Sequence, residues 1–444
     1  MKVYVAFGSN VGCRISNIRK ALDELKKLEL SDVRHTHCIE TSPILLPNSP
    51  IEWSAPYLNA VASFTTAIKL EQLLILLQEI EKKLGRPTQR LKWAPRIIDI
   101  DILMTDSRIM SNTPFLTLPH PEILNRPFLI HLLATLEPSL TFFSDNQYTN
   151  KTFLEIAHCT NAIQNLGEYK SFAIYPKIMG ILNVTEDSFS DGGLYNTREK
   201  AVSHFISLEN AGASIIDIGA ESTRPGAKKL SHEEEYTQLD NILSAIGDIN
   251  SKVEISIDSY HFNVIQRILE KYSNIISYIN LVQWNFKPYE IHILSQYEIK
   301  FIIMHSLSVP PSPTFVLPTS TDLIQYIGEW SNYIVDCAIA NGISASNLIL
   351  DVGIGFGKTH YQSIELLRRL RDFKNAFVRN LPILVGHSRK SYINAISLQT
   401  PIDRDLETSI ISASIAQYTD YLRVHNVTDT HRACVTHNIM NQKY

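Results

Sequence analysis

Asp99 and Asp101 stand two apart in the run Arg96-Ile-Ile-Asp-Ile-Asp-Ile-Leu103, where apolar and acidic residues alternate. Alternation of period two marks a strand, so the two carboxylates share one face, ~6.5–7 Å apart. That spacing suits a pair holding magnesium over a polyphosphate, because magnesium binds through a few carboxylates and the substrate's own phosphate oxygens. Taken alone, the pair reads first as a solvated strand face. The basic stretch just upstream, Lys82, Lys83, Arg86, Arg90, Lys92 and Arg96, shifts the balance, since it could neutralise a triphosphate during transfer. Far along the chain Arg423 and His425 repeat the spacing. A histidine beside an arginine on one strand face is an anion ligand, suited to a leaving group such as pyrophosphate.

The elements that must position these residues fall into two parts. In the first, Ile15, Ile18, Leu22, Leu25 and Leu28 recur at helical spacing, as do Leu70, Leu73, Leu74, Leu77, Ile80 and Leu84. Residues 56–66 between them read as a strand, and the order suits an α+β layer with helices over a mostly antiparallel sheet. A polar stretch over 146–175 breaks the rhythm. The expected division is a first domain over 1–160, a linker over 161–175 and a second domain over 176–444. From Lys177, short apolar runs recur at 178–184, 214–220, 254–258, 278–282, 301–305, 348–353, 383–386 and 421–424, with helical spacers. Eight such runs in the remaining chain predict an α/β TIM (β/α)8 barrel, a fold of ~250 residues. Polar residues close the runs: Asn183, Asp217 and Glu221, Asp258, Asn280, His305, Asp351, Ser388 to Lys390, and Arg423 with His425. In a barrel those are the C-terminal strand ends, where active sites are built.

Composition narrows the partners. A formal net charge of −4 over 444 residues leaves no electrostatic footprint for nucleic acid or an anionic membrane, so anionic ligands must be held by local Arg and Lys. The five cysteines are scattered without metal or redox spacing and read as incidental thiols. A strand-like run begins at Lys2 and no apolar run reaches the ~20 residues of a membrane span. The expectation is a cytoplasmic protein with neither nucleic acid nor membrane as partner.

The stretch Trp93-Ala-Pro-Arg-Ile-Ile-Asp-Ile-Asp-Ile102 resembles the signature of the 6-hydroxymethyl-7,8-dihydropterin pyrophosphokinases. Phe7-Gly-Ser-Asn10, Thr41-Ser-Pro43, Tyr57-Leu-Asn59 and Leu118-Pro-His120 with Asn125, Arg126 and Phe128 extend the likeness. It implies a ferredoxin-like α+β domain that passes pyrophosphate from ATP to the pterin hydroxymethyl oxygen and releases AMP. By the same likeness Asp99 and Asp101 bind two magnesium ions, and Asn59, with Thr41, meets the pterin between Tyr57 and Phe128. Phe128 reads equally as core. Glu81, Arg86, Arg96, His120 and Arg126 would contact ATP or the transferred group, with Arg86 and Trp93 on a closing loop.

The barrel's strand ends are similar to the dihydropteroate synthases. The matching segments are Met179 to Gly193, Asp217 to Gly226, Ser256-Ile-Asp-Ser259, Ile279-Asn280, Met304-His305, Asp351-Val-Gly-Ile-Gly-Phe-Gly-Lys358, Gly386-His-Ser-Arg-Lys390 and Arg423-Val-His425. The resemblance implies that Asp258, Asn280, Asp351 and Lys390, with Met304, hold the pterin. Arg423 and His425 then take the pyrophosphate, with one magnesium ion on Asn183. It places p-aminobenzoate near Ser222, Thr223, Arg224 and Phe356, implies sulfonamides as competitors there, and allows a homodimer through the barrel. Glu186, Leu281 and Val352 depart from the usual family residues. Two other readings stay open at this point: a pterin-binding methyltransferase barrel, and a domain kept only as scaffold.

Overall fold

Strand β1 (Lys2–Ser9) has partners on both sides and buries Val3, Tyr4, Val5 and Phe7. It pairs antiparallel with β4 (Tyr57–Thr65) and β5 (Asp99–Thr105), while β2 (Ser31–His35) and β3 (Cys38–Thr41) pair with the far side of β4. A computed structural model describes residues 1–444 apart from 44, 46–48, 87–93, 161–169, 185–193, 221–228, 248, 250, 252, 313, 377–380 and 442–444. Helices α1 (Arg14–Leu25) and α2 (Leu70–Lys83) follow β1 and β4, so the order β5-β1-β4-β3 completes the split β-α-β arrangement of a ferredoxin-like sheet. A short hairpin, β6 (Ser111–Asn112) and β7 (Thr117–Leu118), precedes helices α3 (Pro127–Leu136) and α4 (Phe153–Cys159). These two helices bury Leu129, Leu133, Phe153 and Ile156 against Tyr4, Val61 and Leu103 of the sheet.

The chain divides into two compact units, Met1–Ile174 with Asn438–Tyr444, and Tyr175–His437. Part of the stretch expected as linker is structural: β8 (Ser171–Phe172) adds to β3, and buried Arg19 donates through Nε to the Ile174 carbonyl at 2.8 Å. The backbone groups of an exposed sheet edge need partners, and this short strand supplies them.

The second unit is a closed parallel barrel. Its strands are β9 (Lys177–Asn183), β10 (Ile215–Gly219), β11 (Glu254–Asp258), β12 (Ile276–Leu281), β13 (Lys300–Met304), β14 (Leu348–Asp351), β15 (Ile383–Val385) and β16 (Tyr421–Val424). Between and after them lie α5 (Leu194–Asn210), α6 (His232–Gly247), α7 (Phe262–Tyr272), α8 (Pro288–Leu294), α9 (Leu323–Ala340), α10 (His360–Arg368), α11 (Leu370–Ala376), α12 (Asp405–Ile415) and α13 (Val427–Asn441). One interior layer is filled by Met179, Ile215, Tyr278, Ile302, Ile349, Leu384 and Tyr421, so the barrel is a packed core and not a pore. Leu281 and Val352, two of the departures from family residues, are buried. Among the described residues no helix is long and apolar enough to cross a membrane.

Register sets the site. Gly219 is the partner of both Asn183 and Asp258, and Asp258 of Asn280, which brings these strand ends to one level. After β14 the chain turns sharply: Gly353, Gly355 and Gly357 have φ of +67°, +79° and +68°. A Cβ at Gly353 would lie 1.9 Å from the His305 carbonyl oxygen. Gly353→Ala should therefore lower stability by more than about 1 kcal/mol in denaturant unfolding. An unchanged midpoint would show that this loop does not pack on β13 as described.

Candidate functional site

In the first unit Gly8 forms the floor of the site. A Cβ there would lie in ordinary contact, 3.6–3.9 Å, with Asn59 Oδ1, Tyr57 Cδ1 and Asp99 Cβ, so the bare glycine borders all three residues of the site. The cleft above it is bounded by Thr41, Tyr57, Asn59, Arg96, Asp101 and Phe128. Asn59 Nδ2 donates to Thr41 Oγ1 at 2.9 Å, an orientation that leaves the amide oxygen to accept from a ligand N–H. Phe128 both lines the cleft and packs on the core beneath α3.

Asp99 carries two guanidiniums, Arg86 Nη2 at 2.7 Å on Oδ1 and Arg96 Nη1 at 2.5 Å on Oδ2. Arg86 also pairs with Glu81, which is buried and accepts the Ile100 N–H at 2.7 Å. Burial, with Asp99 and Asp101 nearby, pushes the Glu81 carboxyl up to about 7 against the pull of Arg86. Asp101 rises to about 6, first by burial and then by the charge of Asp99, while Arg126, Arg86 and Arg96 oppose the shift. The loop is anchored by Asn10, whose Oδ1 accepts the Arg96 N–H at 2.8 Å. His120 stays neutral more readily than a free imidazole, chiefly through burial and then through Arg126. Trp93 lies outside the described residues.

These acids fit magnesium. Burial and the charge of Asp99 raise the proton affinity of Asp101, and no ion pair joins Asp101 to a described residue. A divalent cation relieves that repulsion. Among the described residues no group of three or more His, Cys, Asp or Glu could hold a metal ion, so bound substrate would have to complete the coordination.

At the barrel mouth the hub is Asp217, the middle residue of β10, one of the polar residues noted in the sequence but given no ligand there. It is fully buried, and its Oδ2 accepts from Asn280 Nδ2 at 2.9 Å and from Arg423 Nε at 2.6 Å. Arg423 Nη2 reaches Asp258 Oδ2 at 2.5 Å. The arginine thus faces carboxylates, whereas His425 faces Ser388, whose Oγ lies 2.9 Å from Nδ1 and accepts the His425 N–H at 3.2 Å. Burial pushes Asp258 up to about 7, Asp217 adds to the shift, and Arg423 opposes it. Asp351 is also raised by burial and accepts the Gly353 N–H at 2.8 Å. Lys390 donates to the Ile354 carbonyl at 2.5 Å and sits 4.5 Å from the centre of the Phe356 ring. Burial lowers its amine to about 8, although Asp351 pulls the other way. Met304 and Phe356 pack with Val282 beside this group.

The structure thus gathers Asp258, Asn280, Asp351, Met304, Phe356, Lys390 and Arg423 around one mouth, with Asn183 level with Gly219. Ser222, Thr223 and Arg224 lie outside the described residues. Asp217 could have been recognised in the sequence: it occupies a strand position between apolar residues, where an unpaired acid is costly and so needs a cation.

Residues 4–138 match the 7,8-dihydro-6-hydroxymethylpterin-pyrophosphokinase family, and residues 179–425 the pterin binding enzymes. The chain is 35% identical over 437 residues to the folate synthesis bifunctional protein of Chlamydia caviae, covering 97% of this chain and 96% of that one. A dihydropteroate synthase of Anaplasma phagocytophilum with bound 6-hydroxymethylpterin-monophosphate superposes with a TM-score of 0.53 at 33% identity, over 60% of this chain and 99% of that one. A Yersinia pestis dihydropteroate synthase in a sulfonamide complex gives 0.53 at 31%, over 60% and 94%.

Removing the hub tests the charge network. Asp217→Ala should destabilise the barrel by about 3–5 kcal/mol, as expected when one partner of a buried ion pair is lost. A change below about 1 kcal/mol in chemical unfolding would contradict the hub assignment.

Proposed function

The chain belongs to the bifunctional folate synthesis proteins, joining a 7,8-dihydro-6-hydroxymethylpterin-pyrophosphokinase to a pterin-binding synthase barrel, and from that membership we propose how its residues divide the work. The first unit transfers pyrophosphate from ATP to 6-hydroxymethyl-7,8-dihydropterin and releases AMP. The barrel condenses the product with p-aminobenzoate, yielding 7,8-dihydropteroate and pyrophosphate.

In the first site the pterin lies between Tyr57 and Phe128, and Asn59 Oδ1 accepts from it. Arg86, Arg96 and Arg126, with His120, take the ATP phosphates, and Glu81 holds Arg86 in reach. The hydroxymethyl oxygen bonds to the β-phosphorus as the bond to the α-phosphate bridging oxygen breaks. Asp99 and Asp101 would hold two magnesium ions, which supply charge neutralisation on the polyphosphate. The chain's own part is alignment, since an oriented nucleophile needs no covalent intermediate.

In the barrel, Asp258, Asn280 and Asp351 accept from the donor-rich pterin edge and Lys390 donates to it. Pyrophosphate leaves first, toward His425, Ser388 and Arg423, and Asn183 would hold one magnesium ion beside it. The amine of p-aminobenzoate then bonds to the exposed methylene carbon, with Ser222, Thr223, Arg224 and Phe356 around it. Sulfonamides compete for that position, a reading supported by the Yersinia complex. Five free cysteines suit a reducing cytoplasm, and the barrel is the surface for any homodimer.

The observation that carries the assignment is the coexistence of the Asp99–Asp101 cleft with the Asp258–Asn280–Asp351–Lys390 mouth. The two half-reactions, assayed separately on one preparation, test it. Asp99→Ala should cut AMP release by on the order of 100-fold or more and leave dihydropteroate formation from supplied pterin pyrophosphate intact. Lys390→Ala should do the reverse. Loss of both activities in Asp99→Ala would refute two independent sites.

A further inference from the structure

We propose that Lys358 is a positioning residue of the synthase site, clamping the loop after β14 to the end of β13 so that Lys390 and Asp351 meet the pterin. The inference rests on the synthase reading above and adds a residue that touches no substrate.

Lys358 is 4% exposed. Its Nζ donates to His305 Nδ1 at 2.8 Å, to the Gly353 carbonyl at 2.9 Å and to the Phe356 carbonyl at 3.1 Å. An ammonium has three donors, and here each finds an acceptor. The acceptors come from two elements, His305 directly after β13 and the loop that runs from Asp351 to Lys358. That loop bears on the site at three positions. Gly353 N–H donates to Asp351, the Ile354 carbonyl receives Lys390, and the Phe356 ring lies beneath the Lys390 ammonium. Lys358 holds Gly353 and Phe356 by their carbonyls, on both sides of the Lys390 contact.

His305 is built as the fixed end of the clamp. It is 1% exposed, and its ring meets Trp330 and Tyr326 edge to face, with centroids 4.9 and 5.7 Å away. Burial first and the Lys358 ammonium second hold its imidazole down to about 3, so the ring is neutral, and the 2.8 Å approach of Nζ to Nδ1 makes Nδ1 the acceptor nitrogen. The carbonyl of His305 also fills the space where a side chain at Gly353 would go. A mobile loop would not need such a close approach.

The test compares Lys358→Met, His305→Phe and His305→Asn in the full chain by steady-state synthase kinetics, with pterin pyrophosphate varied at saturating p-aminobenzoate. Asparagine places an acceptor near the position of Nδ1, whereas phenylalanine keeps the ring packing and removes the acceptor. Lys358→Met and His305→Phe should raise KM for pterin pyrophosphate by on the order of 10- to 100-fold, the scale of an ångström's misplacement. His305→Asn should recover most of the loss caused by His305→Phe, and the double variant should be no worse than Lys358→Met alone. A purely structural lysine would lower apparent kcat through fewer folded molecules and leave KM unchanged, and that result overturns the proposal. If Lys358→Met does not fold, equal kinetics for His305→Asn and His305→Phe overturn it instead. Absence of synthase activity in the unmodified chain would refute the function reading and not the clamp.

Discussion

A buried carboxylate must be given a cation or kept protonated, and both sites of this protein are organised around that requirement. In the barrel, Arg423 of β16 sits between Asp217 of β10 and Asp258 of β11 and answers both acids. In the first unit, Arg86 and Arg96 occupy the two oxygens of Asp99, and Arg86 also serves Glu81. The planar guanidinium suits the task because its several N–H donors can meet more than one carboxylate at once. Remove either set, and the remaining acids repel one another in a medium too poor to screen them.

The backbone makes these clusters affordable by delivering the acids already aligned. Period-two alternation puts Asp99 and Asp101 on the α3 side of the sheet, where Gly8 of the neighbouring strand leaves room above them. Parallel register does the same for Asp258 and Asn280, which are direct partners on adjacent strands. Little side-chain freedom then has to be given up when a ligand arrives, which is the advantage of building a site on rigid elements.

Much of this was legible in the sequence, for physical reasons that differ between parts. Every barrel strand was visible because a strand covered on both faces must be apolar throughout, and the polar residue that ends each run stands out against it. The paired aspartates were visible because a strand places alternate residues together. The partners of Arg423 were not: spacing puts it on a face with His425, yet its guanidinium turns to Asp217 and Asp258 while His425 turns to Ser388. Side-chain direction at a barrel mouth is decided by charge across the ring, which no local pattern records. The stretch 170–174 was read as linker because its composition is polar and aperiodic, although its backbone hydrogen bonds bind it to the sheet. Lys358 was visible only as the last residue of a glycine-rich motif, since its partners lie in the fold and not in the sequence around it.

The same electrostatic tension explains why each site favours its own ligand. Burial and then Asp217 push the Asp258 carboxyl up to about 7 against the pull of Arg423, so its negative charge is held at a cost that arriving donors reduce. A pterin edge brings N–H groups and no net positive charge, which a carboxyl in that range can meet without first being stripped of a hydration shell. Asp101 and Glu81 lie at about 6 and about 7 for a related reason, burial beside like charge. Their surroundings differ in one respect: arginines stand over Asp99, where a polyphosphate brings its own negative charge and draws them away. On the proposed reading, the first site would exchange guanidinium–carboxylate pairs for guanidinium–phosphate pairs. In the barrel Arg423 is shared between Asp217 of β10, which is fully buried, and Asp258 of β11, so its carboxylates come from two neighbouring strands.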